Sequence, residues 1–203
     1  MIRPILWCCL FALGHQIAFG QISFGPKAGI NLANWTTEGH NTITAFQGGA
    51  VVHFPLVDHF SIQTELLYEG KGTDLSDFIP NNPMRFSLKY LTLEASLGYK
   101  IRGITFLLGP YASSLLNYKL EINDREIDFP EGATPFEPWD WGLATGASFE
   151  ITPGFGFEVL YYFGFPDIVD ITFGDQDGHF LARLDEGKNR VLQLGGYYRF
   201  NSE

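Results

Sequence analysis

Cysteine is nearly missing from this 203-residue chain: the only two, Cys8 and Cys9, stand side by side near the N-terminus. Beyond residue 9 no disulfide framework can form, so an exported fold would draw its stability from a packed core or from a bilayer. Basic residues are scarce as well, with 13 Lys and Arg against 23 Asp and Glu for a formal charge of −10. That balance excludes nucleic acid as a partner, because phosphate binding runs on clustered Lys and Arg. No segment holds ~18 uninterrupted apolar residues, which excludes a transmembrane helix. Yet only 18% of the residues are charged and the mean hydropathy is +0.01, which excludes both a disordered polymer and a polytopic helical membrane protein. Glycine and aromatic residues are what the chain has in excess, 23 Gly, 19 Phe and 9 Tyr. The length suits one domain, or at most two small ones.

The N-terminus accounts for the cysteines. Arg3 is the only charged residue before Lys27, an apolar stretch runs from Ile5 to Leu13, and Ala18-Phe19-Gly20 places small residues just before Gln21. This is the pattern of a secretory signal peptide over residues 1–20, cut between Gly20 and Gln21. A membrane anchor would need ~20 apolar residues, and neither cysteine follows the small residues that lipoprotein processing reads. Cleavage removes Arg3, both cysteines and no acid, leaving residues 21–203 as one cysteine-free domain with a net charge of −11.

Alternation recurs through that domain. From Ser23 to Leu32, Phe24, Ala28, Ile30 and Leu32 alternate with Ser23, Lys27 and Asn31; from Phe60 to Tyr68, Phe60, Ile62, Leu66 and Tyr68 alternate with Ser61, Gln63 and Glu65. The same two-residue period runs through Phe46 to Phe54, Leu91 to Ile101, Trp139 to Phe149, Phe155 to Phe163 and Leu192 to Phe200, while Phe106 to Leu116 is apolar on both faces. Period two marks strands with two different faces, about eight of them.

A soluble sandwich or a lipocalin-like barrel would alternate in the same way, so the polar face decides. It carries Lys27, Glu65, Glu94, Lys100, Glu158 and Arg199 among many Gly and Ser. A soluble surface carries denser Lys and Glu with fewer glycines, whereas a narrow bore needs paired charges and small residues. Connections alternate between short ones, 55–59, 102–103 and 151–154, and long ones near 33–43, 70–87, 119–138 and 165–189, as in a membrane barrel with tight turns at one end and large loops at the other. Aromatics form two bands: Phe24, Phe54, Phe60, Tyr99, Phe106, Phe149, Phe155 and Phe200 at the short-turn ends, and Tyr68, Tyr118, Trp139, Trp141 and Phe163 near the long loops. Such girdles flank the two bilayer interfaces. The expected fold is all-β, an eight-stranded antiparallel up-and-down transmembrane β-barrel, closed because hydrocarbon cannot satisfy an open strand edge. Pro110 falls inside the fifth strand and removes a ladder donor; it predicts a bulge there, or else a break of that strand into two.

Several segments together resemble a known family. They are Phe24-Gly25-Pro26-Lys27-Ala28-Gly29-Ile30-Asn31, Tyr90-Leu91-Thr92-Leu93-Glu94, Leu107-Leu108-Gly109-Pro110-Tyr111, Asp140-Trp141-Gly142-Leu143, Tyr162-Phe163-Gly164 and the closing Gly195-Gly196-Tyr197-Tyr198-Arg199-Phe200. In order and spacing they resemble the outer-membrane β-barrel domain of the porin-like or PorT-like type found in Gram-negative bacteria. The resemblance implies a bacterial outer-membrane location, surrounding lipid and the barrel-assembly machinery as partners, and for one branch a role accessory to protein secretion. The chain departs from the pattern in carrying Asn201-Ser202-Glu203 after Phe200, where such barrels usually end on the aromatic, and in the length of segment 165–189.

Eight strands enclose a bore that side chains can fill, so a general diffusion pore is not expected. Interior ion pairs among Lys27, Glu65, Glu94, Lys100, Glu158 and Arg199 are, with a proton or ion path along them as the alternative. Tyr118 to Phe129 and Ile168 to Leu184 carry alternation around the turn signals Asn123-Asp124 and Gly174-Asp175-Gln176-Asp177-Gly178, and read as hairpins above the membrane that would shield the mouth or dock a protein partner by strand addition. Asp175, Asp177 and His179 superficially resemble a calcium loop but lack its completing glutamate; acidic loops would also bridge divalent ions to lipopolysaccharide. His40 and His179 lie on the long-loop side, with Asp74, Asp77, Asp175 and Ser76 as candidate partners, while His53 and His59 lie toward the opposite end. No motif unites them, so the expected class is structural, interaction or ligand-binding rather than enzymatic, with no catalytic, cofactor-binding or metal residue assigned. A rim-located hydrolase or acyltransferase is the least favoured alternative.

Overall fold

Among the described residues, twelve strands follow one another along the chain. The computed structural model describes residues 22–36, 41–75, 83–123, 125–127, 135–174, 180–184 and 186–201; the expected signal peptide lies outside them. The strands are β1 (Ser23–Trp35), β2 (Ile43–Pro55), β3 (Phe60–Asp74), β4 (Met84–Ile101), β5 (Ile104–Ile122), β6 (Arg125–Ile127), β7 (Trp139–Thr152), β8 (Phe155–Gly164), β9 (Ile171–Gly174), β10 (Phe180–Leu184), β11 (Asn189–Tyr198) and β12 (Phe200–Asn201). Eight of them, β1, β2, β3, β4, β5, β7, β8 and β11, pair antiparallel with their neighbours in chain order. The sheet closes where β11 pairs with β1 from Lys27 opposite Tyr197 to Trp35 opposite Asn189. β12 continues β11 past Arg199 in the same register, with Phe24 opposite Phe200.

The tight turns fall where short connections were expected, between β2 and β3, β4 and β5, and β7 and β8. Asp58 and Arg102 take positive φ there, and Gly154 takes φ +83. A Cβ on Gly154 would lie 2.5 Å from the Arg199 carbonyl oxygen, so both backbone shape and space require glycine at this turn.

At the other end the strands outrun the sequence reading. β3 runs to Asp74 and β4 starts at Met84, so much of the expected 70–87 loop is strand. β4 and β5 hold 18 and 19 residues, well beyond the ~9–11 that cross a bilayer, and their excess stands beyond it. The two expected hairpins form: Ile122 opposite Arg125 joins β5 to β6, and β9 pairs with β10.

Pro110 produces neither a bulge nor a break. β5 is continuous, and Leu97 opposite Leu108 and Glu94 opposite Tyr111 keep one register on either side of the proline. Only the ladder against Ala95 and Ser96 lapses, because a single missing N–H removes the bonds that define both positions. The register shift in this pair lies instead at Lys89 and Tyr90, opposite Asn117 and Leu115, with Leu116 as the extra residue.

Burial follows the alternation with the faces inverted relative to a soluble barrel. Phe24, Phe46, Leu66, Leu93, Leu108, Trp139, Trp141 and Phe163 point outward, while Lys27, Glu65, Glu69, Lys71, Glu94, Asp140 and Glu158 are buried. At the short-turn end the outward rings touch: Phe60 and Tyr99 have centroids 4.9 Å apart, and Tyr198 and Phe200 also 4.9 Å. Trp141 against Phe165 marks the opposite band. Tyr118 does not join that band; its ring turns toward Phe136, at 5.1 Å.

Candidate functional site

The bore is organised in three levels along its axis. Nearest the short turns, Lys27 on β1 is the hub. Its ammonium lies 2.5 Å from Glu65 Oε2 on β3 and donates a second hydrogen bond to Glu158 Oε1 on β8. The Gln63 amide, on β3, joins Glu65 and Glu158, at 2.9 and 2.5 Å. Glu94 accepts from Ser96 at 2.6 Å and from the Tyr162 hydroxyl. Glycine makes room on the same level: a Cβ on Gly29 would lie 2.7 Å from the Gln47 amide nitrogen, and Gly29 faces Gly195 across the closing strand pair.

The second level is built around Lys71. Its ammonium reaches Asp140 Oδ2 and Ser113 Oγ at 3.0 Å each and Glu69 Oε1 at 3.2 Å. The same charge lies 4.6 Å from the Tyr111 ring centroid, 5.1 Å from Tyr90 and 5.7 Å from Tyr162, inside the range of cation–π attraction. Thr92 and Asn31 donate to the two oxygens of Glu69 at 2.5 and 2.7 Å, and Asn189 donates to Asp140 at 2.9 Å. The levels touch through aromatic rings, Tyr111 standing edge-on to Tyr162 at 4.9 Å.

Above Lys71 the inner face turns apolar. Trp35, Leu75, Met84, Phe86, Leu88, Leu120, Phe136, Ile168 and Val169 form one buried cluster. Phe136 and Val169 come from the segments flanking β7 and β9 and bridge to each other. Trp35 stacks against Phe86 at 5.1 Å and anchors its indole N–H on Asn189 Oδ1 at 3.2 Å. An apolar plug thus covers the outer mouth of a polar bore.

Of the six expected interior charges, Lys27, Glu65 and Glu158 come together and Glu94 stands beside them. Lys100 and Arg199 do not join them; they sit at the short-turn rim around Glu150, Arg199 at 2.5 Å and Lys100 at 3.9 Å. The strands end there, so their side chains reach the mouth. The cluster of Glu69, Lys71 and Asp140 was not anticipated. Gly70-Lys71-Gly72 reads as loop, yet Glu65, Leu67, Glu69, Lys71 and Thr73 continue one face of β3 without a break, and that spacing was the available signal. His40, Ser76, Asp77, Asp175, Asp177 and His179 lie outside the described residues, so the calcium-like segment and most of the histidine–acid candidates do too. Asp74 is described and pairs through its backbone with Asn41. His53 and His59 both border a cavity at the short-turn mouth.

A closed antiparallel sheet with lipid-suited side chains outside and paired charges inside defines an integral membrane β-barrel. Residues 15–170 match the outer membrane protein beta-barrel domain family, and the chain belongs to it; its place is the bacterial outer membrane. Among solved structures the chain is similar to Neisserial surface protein A, with a TM-score of 0.50 and 12% identity over 88% of this chain and 97% of that one. It is also similar to the attachment invasion locus protein Ail of Yersinia pestis (TM-score 0.46, 14% identity, 89% and 100% covered) and to OprG from Pseudomonas aeruginosa (TM-score 0.47, 10% identity, 91% and 98% covered). At such identities the likeness is one of fold. No curated protein matches the sequence.

Proposed function

We propose that this protein is a closed interaction barrel: it presents its outer rim to a protein partner and does not serve as a general diffusion pore or an enzyme. The observation that carries the reading is the filling of the bore, two charged levels below and the Trp35–Phe86–Phe136 plug above. A side chain held by a buried ion pair or an apolar cluster does not yield to a passing solute without leaving a charge or a cavity behind. What projects instead is the β5–β6 hairpin, whose Arg125, Glu126 and Ile127 are all exposed. A short exposed edge strand suits docking by strand addition.

Export fits the same reading. β1 begins at Ser23, two residues after the expected start of the mature chain at Gln21, so removal of residues 1–20 would leave almost no tail before the first barrel strand. Insertion would then fall to the barrel-assembly machinery, with surrounding lipid as the permanent partner. A role accessory to protein secretion is one form the partnership would take.

The test is a photo-crosslinking residue at position 127 in intact outer membranes, with one at Leu108 on the lipid-facing wall as control. Discrete protein adducts at 127 and none at 108 support the reading. Lipid adducts alone at both positions overturn it.

A further inference from the structure

We propose that the short-turn mouth of the barrel is a binding site for a small oxyanion, a carboxylate or a phosphate group. The mouth holds a cavity of about 240 Å³ bordered by Lys100, Arg199, His53, His59, Ser61 and Tyr197, with Thr105 and the acids Asp58 and Glu150 also on its wall. Drug-sized ligands need roughly 300–1,000 Å³, so this space suits a single acid group and a few more heavy atoms.

Its cationic wall is built, not incidental. Arg199 is 9% exposed, its guanidinium lies 4.8 Å from the Tyr197 ring centroid, and its backbone N–H is bonded to Gly154 O at 2.7 Å. A guanidinium offers five donors in a fixed fork that matches carboxylate and phosphate, and Glu150 takes one of its NH₂ groups. Lys100 stands 3.9 Å from the other Glu150 oxygen, beyond hydrogen-bonding length. Two cations therefore share one resident carboxylate, and the one at Lys100 is held loosely. Glu150 itself sits at a register shift, between Glu150 and Thr152, where β7 pairs with β8. Glu150 stands between Lys100 and Arg199, in the position that a ligand oxyanion would take, with the Ser61 and Thr105 hydroxyls and the two imidazoles as further partners. The site is distinct from the outer rim: Tyr197 is the register partner of Lys27, and Arg199, two residues further on, precedes Phe200 opposite Phe24, which puts the cationic wall on the short-turn side of the first buried charge level and, by the rule that tight turns face inward, on the periplasmic side.

The experiment uses the barrel in lipid nanodiscs, with backbone amide shifts followed by NMR during titration with inorganic phosphate, acetate and, as control, chloride at matched ionic strength. Saturable shifts confined to the turns 56–59, 102–103 and 152–154 with phosphate or acetate, absent with chloride, are expected; whichever anion saturates names the ligand's acid group. Lys100→Gln is expected to weaken that binding at least tenfold, and Arg102→Gln, on the same turn but off the cavity wall, to leave it within twofold. Non-saturating shifts, equal shifts with chloride, or equal losses in both variants would reduce the site to diffuse surface attraction and overturn the proposal.

Discussion

Lys71 on β3 and Asp140 on β7 meet at 3.0 Å although two strands, β4 and β5, separate them around the wall. The pair therefore crosses the bore and ties its opposite sides. Breaking a buried pair leaves an uncompensated charge and costs about 3–5 kcal/mol, whereas replacing both partners by apolar residues is often neutral. Lys71→Met, which strands both Asp140 and Glu69, is expected to destabilise by at least that amount, Asp140→Leu by less because Lys71 keeps Glu69, and the double variant to recover only the part due to Asp140, since Glu69 stays without its cation. Urea unfolding in detergent micelles, followed by the folded-to-unfolded shift on a gel, measures all three.

The apolar plug makes a separate prediction. Trp35 is fully buried among Phe86 and Phe136, and truncating such a ring costs about 3–5 kcal/mol. Trp35→Ala is expected to lose that much in the same unfolding assay and to speed amide exchange at Phe136 and Val169 before exchange at β1 to β3.

On the outer wall, Leu108 faces outward between the aromatic bands. Arginine near a bilayer midplane costs about 2–4 kcal/mol, so Leu108→Arg is expected to destabilise by about that much in lipid vesicles. Val57→Arg, in an exposed short turn, is expected to stay within about 0.5 kcal/mol. Equal effects at the two positions would place Leu108 outside hydrocarbon.

The ladder gap at Pro110 is a local defect that substitution should repair. Pro110→Ala supplies the missing donor opposite Ala95, and one net hydrogen bond contributes about 0.5–1.5 kcal/mol. A stabilisation of that size, with slowed exchange at the new amide, is the expected outcome.

These residues also mark how far the sequence could be read. Strand number, tight turns and the outward set were legible because a two-faced strand writes its environment into every second residue, and the bilayer makes one face uniformly apolar. Glu65 and Glu158 stood out as charges in such runs, and their shared partner Lys27 with them. Lys71 did not, because Gly70 and Gly72 beside it read as loop; only the pairing of Gly70 with Lys89 and of Gly72 with Ser87 makes them strand. The plug was hidden for the opposite reason. Above the bilayer the inner face itself becomes apolar at Trp35, Phe86 and Leu88, so the alternation fades just where the strands continue. Which charges meet across the bore depends on tilt and register, as the placing of Lys100 and Arg199 at the rim illustrates, and neither is written in the period-two pattern.

The central claim is that the bore is shut by its own side chains. Permeation measured on the purified barrel in liposomes and planar bilayers tests it most directly: no swelling with small sugars and no steady conductance are predicted. Conductance steps that scale with salt, or uptake of a five-carbon sugar by the wild-type protein, would contradict it.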